Sequence, residues 1–508
     1  MAALLVGFRR FLYRLGLSLS QLAAALSHEA KLHPARFARL HELTALLAPT
    51  VQIETSLLSG VGPLRHMLRV QPTPKRRELG NLLVCAPIRG GKGLLAVSQL
   101  LTWNQSAIVN DIKGELYAQT AGFRARLGKV FVVDPDGTGH RYDPLASKKT
   151  EDALLSAATQ LLFDPEEGEG KIFTQRAALM LTQLFLAARQ EGYAPLLYAK
   201  HLIDEGLLAS AATLDAVSPA LATRFLDATF ADADLSDHFL LSAWSTLSAR
   251  LYPLLTQSVV RALSGADFTA REIMTAPRPT TVYLRWPEID LLTLAPLVRL
   301  LWDSLLGELI TTFDKASGRN CRPVLCLMDE AGRTAIPSLS EHATTVVGRG
   351  ISLWVAVQSL SQLDAIYGKH RADTLRNNFD TQIYYRQASL ETAQYVARCL
   401  GRRSDYAHSH TLRDGTPESQ ALSEQAVPLL TPREIMQMRD EDILCFHRRL
   451  PPVSATRMDW REFPLLAQRR ALPPPPLSLR RAQERDPQTI WEGSWEKNAS
   501  YLDPDERN

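Results

Sequence analysis

The stretch 84-VCAPIRGGKGLLAV-97 decides the fold, because an apolar run, a glycine-rich turn and a second apolar run follow one another in it. It resembles the P-loop, G-x-x-x-x-G-K-[ST], whose backbone N–H groups close around phosphate while the lysine reaches the outer oxygens. Two positions depart from that pattern: Ala86 occupies the position of the first glycine, and Gly93 occupies the position of the serine or threonine. The loop alone is therefore either a nucleotide site or a ligand-free turn between a strand and a helix.

If the loop binds a nucleotide, the contacts come from the residues around its lysine. Glycines let the backbone wrap around phosphate, and the N-terminus of the following helix favours anions. The predicted nucleotide-binding residues are Arg89, Gly90, Gly91, Lys92 and Gly93.

A second motif, 324-VLCLMDE-330, is an apolar strand that ends in two carboxylates. Asp329 at such a strand end is suited to hold Mg²⁺, and Glu330 is suited to orient and deprotonate an attacking water. A strand ending in Asp-Glu is common by chance. Its pairing with a Gly-Lys loop favours an ATP site in which Lys92, Asp329 and Glu330 are catalytic.

A third motif, 348-GRGISLWVAVQSLSQL-363, is an arginine-bearing turn followed by an apolar strand. Gln358 ends this strand, where an amide can sense the γ-phosphate. Arg349 precedes the strand, so we expect it at the opposite edge of the sheet, away from its own P-loop and nearer a neighbouring subunit. The alternative for Arg349 is an exposed turn residue or the partner of a carboxylate.

Short apolar runs bounded by turn residues recur along the chain, and helical periodicity lies between several of them. This alternation is typical of buried parallel strands and predicts an α/β fold with a doubly wound, mostly parallel sheet. The predicted strands lie within 78–87, 106–113, 129–135, 280–286, 323–330, 351–358 and 381–387.

The chain divides into five predicted segments, because residues 146–275 show helical periodicity without strand patterns and therefore predict an all-helical insertion. The segments are an N-terminal helical segment without a transmembrane anchor (1–78), the first part of the nucleotide-binding domain (79–145), the insertion (146–275), the second part of the nucleotide-binding domain (276–465) and a Pro-rich polar tail (466–508).

The net charge of +3 is unevenly distributed. Residues 151–275 contain 8 Lys and Arg against 16 Asp and Glu, so the rest of the chain is basic. This division favours polyanion binding by the basic body and a protein partner for the acidic insertion.

The cysteines and the hydropathy favour a cytoplasmic protein. Five cysteines without zinc spacing predict reduced thiols. No run of about 18 uncharged apolar residues predicts a membrane-spanning helix.

The chain resembles the type IV coupling proteins, the RecA-like, FtsK-related ATPases of bacterial conjugation and type IV secretion. Gly93 fits this resemblance, because coupling proteins of this branch often carry Gly-Lys-Gly, and the site is therefore interpreted as active. The resembling segments are 85-CAPIRGGKG-93, 109-VNDIKGELY-117, 130-VFVVDPDG-137, 142-YDPL-145, 328-MDEAGR-333, 348-GRGISLWVAVQSLSQLDAIYG-368 and 428-PLLTPREIMQM-438.

The resemblance implies a RecA-like P-loop NTPase that uses ATP and Mg²⁺ and is stimulated by DNA. It implies DNA, a relaxase or effector protein and type IV secretion channel components as partners, and a hexameric ring. The leading hypothesis is an ATP-driven motor that feeds a nucleoprotein to the channel. The alternatives are a soluble DNA translocase unrelated to secretion and a nucleotide-gated adaptor that does not move DNA.

Two features leave alternatives open. In 111-DIKGE-115, Asp111 and Lys113 organise the nucleotide site, or Lys113 faces DNA, or the motif is a structural turn. Family members usually begin with transmembrane helices, and none is predicted in residues 1–78. The chain is thus unanchored, held at the cytoplasmic face of the inner membrane by a partner, or separated from its anchor.

Overall fold

The computed structural model describes residues 34–46, 56–62, 65–72, 78–163, 171–226, 233–287, 291–333, 336, 338–413 and 416–477. These residues form two compact units. The first takes in the described residues up to Gln105, Leu325–Gly332 and Ala343–Leu472; the second takes in Ser106–Val324, Arg333–His342 and the described residues from Pro473 onward.

The secondary structure alternates between short strands and helices. The strands are β1 (Leu57–Val61), β2 (Met67–Val70), β3 (Leu82–Cys85), β4 (Ser106–Asn110), β5 (Lys129–Val133), β6 (Thr280–Leu284), β7 (Val324–Met328), β8 (Ile351–Val357), β9 (Thr381–Tyr384), β10 (Arg402–Arg413), β11 (Thr416–Pro428), β12 (Asp442–His447) and β13 (Val453–Thr456). The α-helices are α1 (Lys92–Thr102), α2 (Glu115–Leu127), α3 (Glu151–Leu162), α4 (Lys171–Glu191), α5 (Pro195–Glu205), α6 (Leu207–Val217), α7 (Pro219–Leu226), α8 (Ala233–Leu251), α9 (Gln257–Ala262), α10 (Ala270–Thr275), α11 (Leu291–Lys315), α12 (Leu339–Thr345), α13 (Leu360–Tyr367), α14 (Lys369–Asn377), α15 (Leu390–Leu400), α16 (Pro432–Met436) and α17 (Pro464–Arg470). Short 3₁₀ turns are formed by Leu40–Ala45, Val347–Arg349 and Trp460–Glu462.

In the first unit, β3 pairs in parallel with β8 on one side and with β9 on the other. The strand order in this unit is β2-β1-β13-β12-β9-β3-β8-β7. Every residue of β3, β7 and β8 is buried, as expected for strands that are covered on both faces. Beyond β9 the pairing is antiparallel, from β9 through β12, β13 and β1 to β2.

In the second unit, β6 lies between β4 and β5 and is parallel to both. The described residues between β5 and β6 form the eight helices α3 to α10 and no strand. The 21-residue helix α4 is at the centre of this group and packs against α3, α5, α6, α7 and α8. The extent of the insertion as a separate domain stays a prediction.

An aromatic stack joins the two ends of this helical segment. The Phe268 ring stacks on Phe131 of β5 with centroids 4.8 Å apart, and on Tyr142 with centroids 5.0 Å apart. An isolated antiparallel bridge also pairs Tyr142 with Ala266. The chain therefore leaves the parallel strands and returns to them at one place.

Strands β3 to β9 form within the predicted runs, and the mostly parallel sheet confirms the predicted α/β class. The expectation of a helical segment over residues 1–78 is corrected where residues 57–70 form β1 and β2. The sequence conceals this pair because Gly60 interrupts the apolar run of β1 with a register shift, and because β1 pairs with the distant β13. Residues 1–33 of that predicted segment lie outside the described residues.

The predicted polar tail also begins differently. Helix α17 extends into its first residues, and an arginine of this helix, Arg469, donates to the Leu101 carbonyl oxygen at 2.7 Å. Residues 478–508 of the predicted tail lie outside the described residues.

Strands β10 and β11 form a long antiparallel hairpin that sequence reasoning missed. They pair with each other from Arg402 opposite Pro428 to Arg413 opposite Thr416. They form a sheet of their own, separate from the strand order of the first unit.

Within the described part of the chain, no helix is both long and apolar enough to cross a bilayer. All five cysteines are free thiols.

Two glycines of the second unit test how tightly it is packed. A Cβ on Gly128 would lie 1.8 Å from the Pro279 carbonyl oxygen, whereas one on Gly307, inside α11, meets no atom within 4 Å. We expect Gly128→Ala to destabilise the protein by about 1–3 kcal/mol through overpacking. Gly307→Ala should stabilise it by about 0.5–1 kcal/mol, because alanine loses less backbone entropy in a helix. Denaturant unfolding measures both, and equal effects of the two variants would contradict this packing.

Candidate functional site

The glycine-rich loop joins the end of β3 to the start of α1. Gly91 is the N-cap of α1 and has a φ of 105°, a left-handed conformation that glycine adopts freely. A Cβ on Gly91 would lie 3.2 Å from Arg457, and one on Gly90 would lie 3.0 Å from the Pro87 carbonyl oxygen. The loop thus requires glycine at position 91 and leaves little room for a side chain at position 90. The first N–H groups of α1 have no intrahelical acceptors.

Neither departure from the standard loop pattern distorts the backbone. Ala86 is buried, is not among the described residues with positive φ, and donates its N–H to the Val357 carbonyl oxygen at 3.0 Å. Gly93 is exposed, and a Cβ there would meet no atom within 4 Å.

Lys92, on the first turn of α1, lies beside the two carboxylates that follow β7. Its Nζ is 2.9 Å from Glu330 Oε1 and 3.6 Å from Asp329 Oδ1. The side chains of Lys92, Glu330 and Asp329 are 13%, 10% and 24% exposed, so their attraction is stronger than that of surface ion pairs. The structure thus brings together three of the predicted catalytic residues.

The turn after β7 has an unusual backbone. Glu330 has a φ of 57°, which is uncommon for a residue with a side chain. The next residue, Ala331, donates its N–H to the Ala356 carbonyl oxygen of β8 at 2.9 Å. This bond fixes the turn in the conformation that keeps the Glu330 carboxylate at Lys92.

Burial raises the pKa of Asp329 above its ordinary value; Lys92 opposes this shift and Glu330 adds to it. Ionisation of Asp329 is therefore less favourable than that of a carboxyl in water. A divalent cation beside it would favour the ionised form.

The carboxylates suit a cation that also has non-protein ligands. Within the described residues, no three His, Cys, Asp or Glu side chains gather into a complete metal site. Mg²⁺ commonly takes one or two protein carboxylates and completes its shell with water and phosphate oxygens. Asp329 matches that pattern.

Gln358 and Arg349 lie at opposite ends of β8. In the parallel register of β3 and β8, Cys85 pairs with Val357, so Gln358 leaves the sheet beside the glycine-rich loop. The Gln358 N–H donates to Gln362 Oε1 at 2.9 Å. Arg349 precedes β8, and its Nη1 donates to the Thr345 carbonyl oxygen at 2.9 Å. Arg349 is thus the one predicted catalytic residue placed at the other end of the strand.

Asp111 and Lys113 belong to the second unit. The Asp111 carboxylate accepts the N–H groups of Leu116 at 3.2 Å and Tyr117 at 2.7 Å, which caps the start of α2. Lys113 is exposed. These contacts favour the structural alternative for Asp111.

Two residues at the loop were not predicted. Arg457 follows β13, and its Nη1 is 3.5 Å from the Gly90 carbonyl oxygen. Tyr385 follows β9, and its ring lies 3.6 Å from the position of a Cβ on Gly91. Strand β13 was not recognised in the sequence, so only the topology reveals Arg457.

The parallel strands, the glycine-rich loop before α1 and the lysine with two carboxylates define a P-loop NTPase. Residues 75–472 match the family described as "Type IV secretory system Conjugative DNA transfer". The chain belongs to this family, which confirms the resemblance to coupling proteins.

Curated relatives agree with this assignment. The chain is 26% identical over 460 residues to the conjugal transfer protein TraG of Escherichia coli, covering 79% of this chain and 70% of the relative. It is 26% identical over 410 residues to the protein VirD4 of Rhizobium radiobacter, covering 75% of this chain and 57% of the relative. The chain thus spans little more than half of that VirD4.

Solved structures share the fold. The bacterial conjugative coupling protein TrwBdeltaN70, in complex with sulphate, has a TM-score of 0.64 at 18% identity, covering 84% of this chain and 94% of that chain. The plasmid coupling protein TrwB in complex with ADP and Mg²⁺ has a TM-score of 0.61 at 18% identity, covering 84% and 94%. These similarities confirm the predicted RecA-like P-loop NTPase fold.

The raised pKa of Asp329 predicts a pH-dependent stability difference. Because the folded-state pKa is above the unfolded value, the wild type loses stability as pH rises from about 4 through the folded pKa. Asp329→Asn does not ionise, so its Tm should increasingly exceed that of the wild type over this range and then stay above it. Calorimetry with EDTA and no nucleotide measures the difference. Exposed Asp215→Asn is the control, and a pH-independent difference for Asp329→Asn would contradict the prediction.

Proposed function

We propose that the protein is an ATP-driven coupling protein that recruits a DNA-bound relaxase or an effector and transfers it to a type IV secretion or conjugation channel. The supporting observation is the contact of Lys92 with Glu330 and Asp329 beside a glycine-rich loop, in a chain of the conjugative DNA transfer family. A turn that binds no ligand would not require a largely buried lysine beside two carboxylates.

The residues present fit ATP and Mg²⁺. Gly91 gives the loop its left-handed turn, and the start of α1 offers N–H donors to phosphate. Lys92 is the cation for the outer phosphates, and Asp329 is the carboxylate ligand for Mg²⁺. Bound ATP with Mg²⁺ supplies the phosphoanhydride whose hydrolysis drives transfer.

Glu330 is the general base in this proposal. Its carboxylate is bound to Lys92 at 2.9 Å, and it becomes available when Lys92 turns to phosphate. It then orients a water and takes a proton from it. Gln358, whose backbone is fixed by Gln362 at the loop edge, senses the γ-phosphate.

DNA and a protein substrate are the proposed partners, and charge assigns them to different regions. The acidic residues 151–275 repel a polyanion, whereas the rest of the chain is basic. Large apolar side chains on these helices are exposed, among them Ile172, Leu208 and Leu241. Such side chains suit a protein surface, so we assign recognition of the relaxase or effector to this segment.

We also propose that six copies of the chain assemble into a ring. The position of Arg349, at the end of β8 away from its own glycine-rich loop, supports a role at a neighbour's nucleotide. The proposed activity requires the protein to act at the cytoplasmic face of the inner membrane, where channel components would hold it.

The decisive experiment measures ATP turnover with and without single- and double-stranded DNA. We expect DNA to stimulate turnover, and we expect Glu330→Gln to lower it by about 100-fold or more while ATP binding remains, because only the base is lost. Gly93→Ser should retain measurable turnover, since a side chain there meets no neighbour.

Three outcomes would contradict these assignments. ATP binding without turnover in the wild type would indicate a nucleotide-gated adaptor. Undiminished turnover in Glu330→Gln would remove Glu330 from the role of base. Turnover without any transfer of a relaxase or effector to a channel would indicate an unrelated translocase.

Arg349 is expected to act in trans. Its loss at the neighbour's phosphates should lower turnover by about 10³-fold in Arg349→Ala. When Arg349→Ala and Lys92→Ala subunits are mixed, some interfaces combine an intact Lys92 with an intact Arg349, so part of the activity should return. No recovery in rings that have exchanged subunits would count against the assignment, and full activity of Arg349→Ala alone would end it.

A further inference from the structure

Arg457 is the first residue after β13, and the topology brings it to the edge that carries the glycine-rich loop. Strand β13 is antiparallel to β12, and β12 is antiparallel to β9. Because β9 is parallel to β3, β13 also runs in the direction of β3. Their carboxyl ends therefore face the same side of the sheet.

The Arg457 side chain lies over the loop glycines. Its Nη1 is 3.5 Å from the Gly90 carbonyl oxygen, at the outer limit of a hydrogen bond. Its Cδ and Nη1 are each 3.2 Å from the position of a Cβ on Gly91. A glycine at position 91 thus provides both the left-handed backbone and the room for the guanidinium.

Among the described residues, the Arg457 guanidinium hydrogen-bonds to this weak neutral acceptor. The pKa of Asp459 is lowered chiefly by its bond to Arg461 and also by the charge of Arg457. In the part of the chain that the structure describes, Arg457 forms no salt bridge. The nearby Asp459 is engaged by Arg461, whose Nη2 is 2.6 Å from its carboxylate. The Arg457 backbone is anchored, because its N–H donates to the Glu441 carbonyl oxygen at 2.7 Å. A cation with a fixed base is therefore held at the loop, and the nearby carboxylate of Asp459 is already bonded to Arg461.

Tyr385 forms a wall beside this guanidinium. It is 1% exposed, and its hydroxyl has no hydrogen-bond partner among the described residues. Its N–H donates to the Cys85 carbonyl oxygen at 3.0 Å, which ties it to the end of β3. Burial raises the pKa of Tyr385, and the charge of Arg457 opposes that rise. The two side chains thus lie close together at one end of the loop.

We propose that Arg457 is a second phosphate-binding cation of the nucleotide site, supplied by the same chain as Lys92. It exchanges its weak bond to the Gly90 carbonyl for a charge-assisted bond to a phosphate oxygen, which is a stronger acceptor. The inference rests on the proposed ATP site. It differs from the role given to Arg349, which requires a neighbouring subunit.

Binding of a non-hydrolysable ATP analogue with Mg²⁺ tests this, measured by calorimetry on the full chain. We expect Arg457→Ala to bind roughly 10- to 100-fold more weakly than the wild type, the range for a lost charged hydrogen bond. Arg457→Gln keeps a donor for the Gly90 carbonyl and should show a similar loss. Arg457→Lys should recover part of the affinity. Arg433→Ala, which removes an exposed arginine of the same unit, should bind like the wild type.

A purely structural role gives a different result. If Arg457 only supports the loop, Arg457→Gln retains the affinity, and that outcome overturns the proposal. The Tm without nucleotide should be nearly equal in wild type and Arg457→Gln, while the rise in Tm on adding the analogue should shrink in the variant. An equal loss of affinity in Arg433→Ala would indicate a general charge effect and also overturn it. A wild type that binds no analogue contradicts the proposed function itself.

Mixed subunits separate the same-chain assignment from a contribution across subunits. Lys92 and Arg457 serve one site in this proposal, so rings of Lys92→Ala and Arg457→Ala subunits contain no intact site. We expect no recovery of turnover. Recovery in rings that have exchanged subunits would overturn the assignment to the same chain.

Discussion

The parallel pairing of β3 with β8 and β9 is the constraint on which the site depends. Cys85 lies opposite Val357 in one neighbour and Tyr384 in the other, so the three strands end together. Ala86, Gln358 and Tyr385 consequently leave the sheet at one edge. All three strands are almost wholly buried, and a slip of one residue would exchange the side chains packed on the two faces of the sheet. The strand register thus places Ala86, Gln358 and Tyr385 at one edge independently of their polar contacts.

The second determinant is electrostatic. A lysine that is mostly withdrawn from water requires negative partners, and Lys92 has them in Glu330 and Asp329. Phosphate oxygens carry the same sign of charge and so compete for the same ammonium. The contact that stabilises the loop alone is therefore one that a nucleotide would have to replace, and the exchange leaves Glu330 without its lysine partner. In the proposed mechanism, nucleotide binding and the release of Glu330 as the base are therefore coupled.

The sequence predicts the parts of the fold whose signals are local. Strands β3 to β9 are compact apolar runs, and the glycine-rich loop and the Asp329–Glu330 pair follow such runs directly. The antiparallel strands β1, β2, β12 and β13 were not predicted. They form two local pairs, but β1 joins β13 and β12 joins β9 over long separations in sequence. Arg457 belongs to this second group. Arg457 reaches the loop because the chain direction reverses between β9 and β12 and again between β12 and β13. The spacing of residues in the sequence does not reveal these reversals.

The aromatic stack of Phe131, Phe268 and Tyr142 has an evolutionary consequence. The helical segment between β5 and β6 leaves and rejoins the parallel strands at one fixed point. Sequence changes within this segment therefore need not alter the strands on either side. Its helices can change length, surface and partner while β5 and β6 keep their pairing. If the helices recognise the substrate, as proposed, substrate range and energy conversion can evolve at different rates within one polypeptide.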